Sequence, residues 1–341
     1  MAPAPLRLLV CDDSPTYAAG FRRLVEHGHD LEVVAVHGNA EDAIAALPEL
    51  EPDLITMDFE LPGMNGLEAV ERIMATHPLP ILVLSSRATR GGAAAAAAYA
   101  AGALQAISKD DLNLLELDGD PAVAFRRRLR VLASAPVIRH PRAGLRRSET
   151  HTWPAPRRLQ VIGVCASAGG PQALMEMISA LPEDFDVPIL VVQHIADGFT
   201  DRLVSWLGDS AQVPVRLAEH GAPLRSGVSI APENKHLTLT ADYVLELTEL
   251  TSPTLYCPSG DVLLHSLAEH AGSRAAGIVL SGMGSDGADG LAALRASGGL
   301  TIAQDEASSG VFGMPKVAAE RGAEHVLAPD QIAASLVALA G

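Results

Sequence analysis

Two stretches of the chain share one rhythm: a short apolar run, a knot of small or polar residues, then a longer segment with helical spacing. Through residue 110 the apolar runs are LRLLV (6–10), LEVVAVH (31–37), DLITMD (53–58), PILVLSS (80–86) and LQAISKD (104–110). Helices are predicted between them: up to about residue 27, over 39–50, over 66–76, and through the Gly/Ala run 91–101. Runs that stay apolar, instead of alternating, suit strands buried on both faces, so the pattern predicts a parallel sheet with helices on both sides.

The rhythm resumes with LQVIGV (159–164), PILVVQH (188–194), VSIAP (228–232), AAGIVLSG (275–282), GLTIAQD (299–305) and HVLA (325–328). Helices are predicted over 171–180, 259–271 and 287–297, with a hairpin turning near Ala241-Asp242 within 236–250. Between the two series lie a short helix near 121–133 and a Pro- and Arg-rich stretch without periodicity, the composition of a linker. The expected organisation is two doubly wound parallel-sheet α/β domains, 1–120 and 159–341, joined by a linker at 121–158.

Composition narrows the class. Hydrophobic residues make up 48% of the 341 and charged residues 19%, a globular mix. Three distant cysteines, Cys11, Cys165 and Cys257, form no CxxC pair, which predicts neither a disulfide framework nor a zinc knuckle. No run approaches the ~20 apolar residues of a membrane helix, so a cytoplasmic protein without direct membrane insertion is expected. The net charge of −16 argues against nucleic acid as a partner, although residues 121–158 hold ten arginines against one acid, Glu149. A solvated helix end docking on acidic neighbours explains that cluster with least strain; an anionic partner surface is the alternative.

Candidate chemistry gathers where strands end. Asp12 and Asp13 follow the first strand, Asp58 ends the third, Ser85 the fourth, and Lys109 closes the fifth. Ligand sites in such sheets lie beyond the carboxyl ends of the strands. Crowded carboxylates raise one another's pKa unless a cation holds them, and a hard divalent ion such as Mg²⁺ suits that oxygen set. One Asp at a strand end is commonly a cap; three acids with a hydroxyl and an ammonium on one rim suit phosphoryl transfer onto a carboxylate.

In the second series, VIGVCASAGGP (161–171) turns from strand to helix at small residues. It lacks the spacing and lysine of a phosphate loop and is not the G-x-S-x-G elbow. Ser167 stands at the corner, His194 ends the next strand, and Asp286 sits in the glycine-rich loop SGMGSDG (281–287). These three types, in any chain order, can form a nucleophile, base and orienting acid, with the glycines 282, 284 and 287 letting backbone N–H groups face an oxyanion. Cys165 is the competing nucleophile, read as a small buried hydrophobe. His220, His236, His265, His270 and His325 lack paired ligand spacing and are assigned to surface or loops.

The motifs CDDSP, MDFELPGMNGLE, VLSS and SKD resemble the receiver domain of response regulators, a flavodoxin-like fold. That resemblance implies phosphorylation of Asp58 by a histidine kinase, a Mg²⁺ site of Asp12, Asp13, Asp58 and the Glu60 carbonyl, and switch roles for Ser85 and Lys109. ASAGG, QHIADGFT, VSIAP, CPSGDVLLHSLA, VLSGMGSDGADG and TIAQDEASSGVFGMP resemble the Rossmann-like catalytic domain of the CheB chemotaxis methylesterases, response regulators of two-component systems. That resemblance implies a Ser167–His194–Asp286 triad, an oxyanion donor at the Met283 amide, and hydrolysis of γ-glutamyl methyl esters on chemoreceptor cytoplasmic domains without a cofactor for the ester chemistry. It also implies glutamine deamidation, phosphorylation by the chemotaxis histidine kinase, and relief on phosphorylation of a cover that the receiver places over the active site. Ala168, Ile195-Ala196 and Phe312 depart from the family's usual residues, as does Lys109-Asp110 in the receiver; the first three bear on deamidation more than on esterase activity. A receiver-controlled, non-catalytic binding module is the alternative output.

Overall fold

The computed structural model describes residues 4–86, 98–99, 101–135, 158–195, 198–249 and 256–340. The alanine-run helix and most of the Pro/Arg-rich stretch fall outside the described residues. The chain divides into two compact units, residues 1–143 and 144–341.

The first unit is built on a five-stranded parallel sheet in the order β2-β1-β3-β4-β5. Its strands are β1 (Leu6–Cys11), β2 (Leu31–His37), β3 (Leu54–Asp58), β4 (Ile81–Ser85) and β5 (Gln105–Ser108). Helices α1 (Pro15–Glu26), α2 (Ala40–Leu50) and α3 (Gly66–Thr76) start on side-chain caps from Ser14, Asn39 and Asn65, each accepting from an otherwise unpaired first-turn N–H. The chain leaves β1 in one direction through β2 and in the other through β3, so the switch point lies between β1 and β3, where Asp12 and Asp58 emerge.

Helix α4 (Asp120–Ala133) was expected as part of the linker; it is instead packed into the first unit. Phe125 meets Phe21 edge-on at 5.9 Å. The buried Arg126 donates to the carbonyls of Leu24 (3.2 Å) and Leu117 (2.8 Å), and Arg130 pairs with Asp30 at 2.6 Å. Its apolar stripe, Ala122, Phe125, Leu129 and Leu132, is what places it there. Arg126 and Arg130 thus dock on carbonyls and an acid of their own unit, while Arg139, Arg142, Arg146, Arg147 and Arg157 of the basic cluster lie outside the described residues.

The second unit carries a seven-stranded parallel sheet, β14-β13-β12-β6-β7-β9-β8. Its strands are β6 (Val161–Ala166), β7 (Ile189–Gln193), β8 (Val215–Leu217), β9 (Val228–Ile230), β12 (Ala275–Val279), β13 (Leu300–Gln304) and β14 (His325–Leu327). The predicted hairpin is present as β10 (Lys235–Leu239) and β11 (Leu245–Glu249), antiparallel around residues 240–244. β6, β7, β12 and β13 are buried along their whole length, matching their unbroken apolar runs. Helices α5 (Gly170–Ser179), α6 (Thr200–Ser210), α7 (Gly260–His270), α8 (Ala288–Ala296), α9 (Met314–Arg321) and α10 (Pro329–Ala340) complete the unit. β6 runs on to β7 on one side while β12 lies on its other side, so the switch point is at β6/β12 and the crevice opens beyond the ends of β6, β7 and β12.

Candidate active site

The ends of β6 and β7 are in register, with Cys165 opposite Val192 and Ala166 opposite Gln193. Ser167 and His194 are the next residue on each strand, and the His194 N–H donates to the Ala166 carbonyl at 2.8 Å. On the other side the Ser167 N–H donates to the Ser281 carbonyl at 2.9 Å, which draws the loop after β12 to the same corner. Gly282 comes so near that a Cβ there would lie 2.8 Å from Ser167 Cβ. Met283, whose amide is the expected oxyanion donor, follows directly. The carbonyl of Ser167 accepts from Gln193 Nε2 (2.8 Å) and the Gly170 N–H (2.8 Å), which pins the corner at the first turn of α5.

His194 and Asp286 meet: Nε2 lies 2.8 Å from Oδ2. The other ring nitrogen, Nδ1, is enclosed and has no hydrogen-bond partner among the described residues. No hydrogen bond joins it to Ser167 Oγ among those residues; such links commonly tighten only when substrate is bound. Ser167 is 7% exposed.

Asp286 is held from a second direction that sequence reasoning missed. Ser259, the N-cap of α7, donates its hydroxyl to Oδ1 at 2.7 Å, the Asp261 N–H donates to Oδ1 at 3.0 Å, and the Gly260 N–H donates to Oδ2. Burial works against the charged carboxylate, but the His194 contact and the two backbone donors prevail and hold its pKa down to about 2. The imidazole of His194 is stacked on Tyr256, centroids 4.5 Å apart and planes 4° from parallel, another contact the sequence reading did not contain.

Cys165 is fully buried, and burial, with Asp286 and Asp261 adding to it, pushes its thiol well above the usual range. It packs where Cβ atoms on Gly260 and Gly287 would touch it, and a neutral enclosed thiol is no nucleophile. His236 corrects the sequence reading: it lies on β10, 6% exposed, with burial lowering its pKa. The alternating HLTLT run turns one face of β10 inward, where Ser266 of α7 accepts from the Leu239 N–H at 3.1 Å.

In the first unit Asp12, Asp13 and Asp58 each bring one carboxylate oxygen within 4.8 Å of the others. Lys109 Nζ is 2.6 Å from both Asp12 Oδ2 and Asp58 Oδ2. Burial raises the Asp58 pKa, and Lys109 and the Glu60 N–H oppose it; the Lys109 ammonium is reinforced by the two carboxylates against its own burial. Ser85 is 2% exposed and its hydroxyl has no hydrogen-bond partner among the described residues. The oxygen donor set fits a small hard dication, and the orphaned hydroxyl fits an acceptor such as a phosphoryl oxygen.

Both units match known families. The CheB methylesterase family model matches residues 162–336 and the response regulator receiver domain model matches residues 8–117. The chain is 42% identical over 334 residues to protein-glutamate methylesterase/protein-glutamine glutaminase 2 of Anaeromyxobacter dehalogenans (strain 2CP-C), covering 97% of this chain and 96% of the relative. It is 42% identical over 320 residues to protein-glutamate methylesterase/protein-glutamine glutaminase 3 of Myxococcus xanthus (strain DK1622), covering 92% and 88%. The crystal structure of the Thermotoga maritima CheB methylesterase catalytic domain superposes with a TM-score of 0.51 at 35% identity, covering 53% of this chain and 98% of that one.

Proposed function

The chain belongs to the CheB methylesterase family, with a receiver domain ahead of the methylesterase domain, and from that premise we propose that it is a phosphorylation-regulated serine hydrolase acting through Ser167, His194 and Asp286. The substrate is a γ-glutamyl methyl ester on a chemoreceptor cytoplasmic domain. Ser167 Oγ attacks the ester carbonyl while its proton passes to His194 Nδ1, the nitrogen that Asp286 leaves open by holding Nε2. The carboxylate stabilises the imidazolium that forms. Negative charge gathers on the carbonyl oxygen, which the Met283 amide receives; one such donor is worth about 3–4 kcal/mol. Collapse breaks the C–O bond, the imidazolium returns its proton to the leaving oxygen, and methanol departs. Water, deprotonated by the same imidazole, then cleaves the acyl-serine to give glutamate. A glutamine side chain follows the same course with ammonia as leaving group.

The observation that carries this reading is the 2.8 Å Nε2–Asp286 contact on the residue that follows the strand position paired with Ala166, next to Ser167. Methanol release from a methylated receptor fragment, abolished by Ser167→Ala, tests it.

In the receiver, Asp58 accepts the phosphoryl group from the chemotaxis histidine kinase. Asp12, Asp13, Asp58 and the Glu60 carbonyl would hold Mg²⁺, which supplies charge neutralisation during the transfer. Lys109 and Ser85 contact the phosphoryl oxygens. A non-catalytic binding module is not favoured, because a pure docking surface has no need of a buried carboxylate locked onto an imidazole.

A further inference from the structure

Tyr256 is in direct contact with the base of the site. Its ring lies face to face with the His194 imidazole, 4.5 Å between centroids and 4° between planes. The segment that carries it continues into Ser259, Gly260 and Asp261, whose hydroxyl and N–H groups grip Asp286. At its far end the ring lies against the glycine loop: a Cβ on Gly284, where φ is +98°, would be 2.8 Å from the Tyr256 hydroxyl oxygen. One short segment therefore touches the base, the acid that orients it, and the loop that carries the Met283 amide.

On the triad reading above, we propose that Tyr256 is a positioning residue: its stacked ring fixes the plane of His194 so that Nε2 stays on Asp286 while Nδ1 stays open to take the Ser167 proton. The torsion that spins an imidazole about its Cβ–Cγ bond is soft, and a single hydrogen bond to a carboxylate leaves the ring free to rotate about that bond. A parallel aromatic neighbour removes this freedom, since any out-of-plane rotation drives an edge of the imidazole into the tyrosine. The contribution is geometric, needs the ring and not the hydroxyl, and acts before substrate arrives.

The test compares full-length wild type, Tyr256→Phe and Tyr256→Leu in two assays: methanol release from methylated receptor fragment, and the rate at which a fluorophosphonate labels Ser167. Labelling forms the Oγ–P bond, expels fluoride and needs the His194 base, but makes no use of receptor binding. Misplacement of a reacting group by about 1 Å costs about 100-fold, so Tyr256→Leu should lower kcat and the labelling rate together by about 10- to 100-fold, with KM changed by less than about threefold. Tyr256→Phe should keep both rates within about threefold of wild type. If Tyr256→Leu does not fold, Tyr256→Met, which keeps length and apolar contact, takes its place with the same expectation. A rise in KM with labelling unchanged would make Tyr256 a wall of the substrate groove and overturn the proposal, as would equal losses in Tyr256→Phe, or no loss in any variant. Failure of the underlying triad reading looks different: wild type itself would not label at Ser167.

Discussion

At the scale of single residues, Ser167 and Cys165 lie two positions apart on one strand end and environment decides between them. Cys165 is sealed beneath Gly260 and Gly287 with its thiol held neutral, whereas Ser167 stands beside His194. Ser167→Ala should reduce methanol release to background, and Cys165→Ala should leave kcat within about threefold of wild type, since it removes one sulfur from packing and none from the chemistry. Asp286→Asn should cost about three to four orders of magnitude in kcat, because an amide cannot orient and stabilise the imidazolium. The same carboxylate carries a pH signature. Its folded pKa of about 2 lies below the ordinary 3.8, so the stability it lends is full above about pH 4 and disappears as pH falls through about 2, some 2 kcal/mol in all. Urea midpoints of wild type and Asp286→Asn should therefore differ most near neutral pH and converge between about pH 4 and pH 2. The closeness of Ser167, His194 and Asp286 was legible in the sequence because each sits at a strand end or in a glycine loop. Tyr256 and Ser259 were not: their partners are 62 and 27 positions away (256 − 194 and 286 − 259), and nothing local in CPSGD announces them.

At the scale of elements, helix α7 does two jobs from one N-terminus. Its first-turn N–H groups and the Ser259 hydroxyl stabilise the charged Asp286 carboxylate, while Leu263, Leu264 and Leu267 bury its inner face. A carboxylate at a helix N-terminus is favoured by the unpaired amides and the helix dipole. Ser259→Ala removes both the N-cap bond to Val262 and the bond to Asp286. It should lower stability by about 1–2 kcal/mol and kcat by several-fold, read by thermal melting and methanol release on the same preparation. The long buried strands and the helices over 39–50, 66–76 and 259–271 were plain in the sequence. β8 was missed because three half-buried residues after Pro214 are too short to show a period. α6 and α10 did carry a signal, Leu203 and Leu207 in one, Pro329 with Ile332, Leu336 and Leu339 in the other, that the strand-led reading passed over. The assignment of α4 to the linker went wrong because its arginines outweighed its apolar stripe, and one of them, Arg126, is buried on backbone carbonyls.

At the scale of the whole molecule, two sheets of different strand order obey one rule. Each places a buried carboxylate beyond a switch point, Asp58 beside β1/β3 and Asp286 beside β6/β12, because there neighbouring connections diverge to opposite faces and leave a crevice. That rule draws attention to both candidate sites from the sequence alone, whereas the hydrogen bonds around them follow only from the fold. The two chemistries are linked by regulation: Asp58→Asn should remove any stimulation of methanol release by a small phosphodonor, measured beside wild type at equal protein concentration. The central claim, that this phosphorylation-regulated hydrolase works through Ser167, is tested most directly by methanol release from a methylated receptor fragment by the full chain, wild type and Ser167→Ala, with and without the phosphodonor. Wild type should release methanol at a rate that rises with the donor and Ser167→Ala should release none in either condition; turnover by Ser167→Ala at the wild-type rate would rule out Ser167 as the nucleophile.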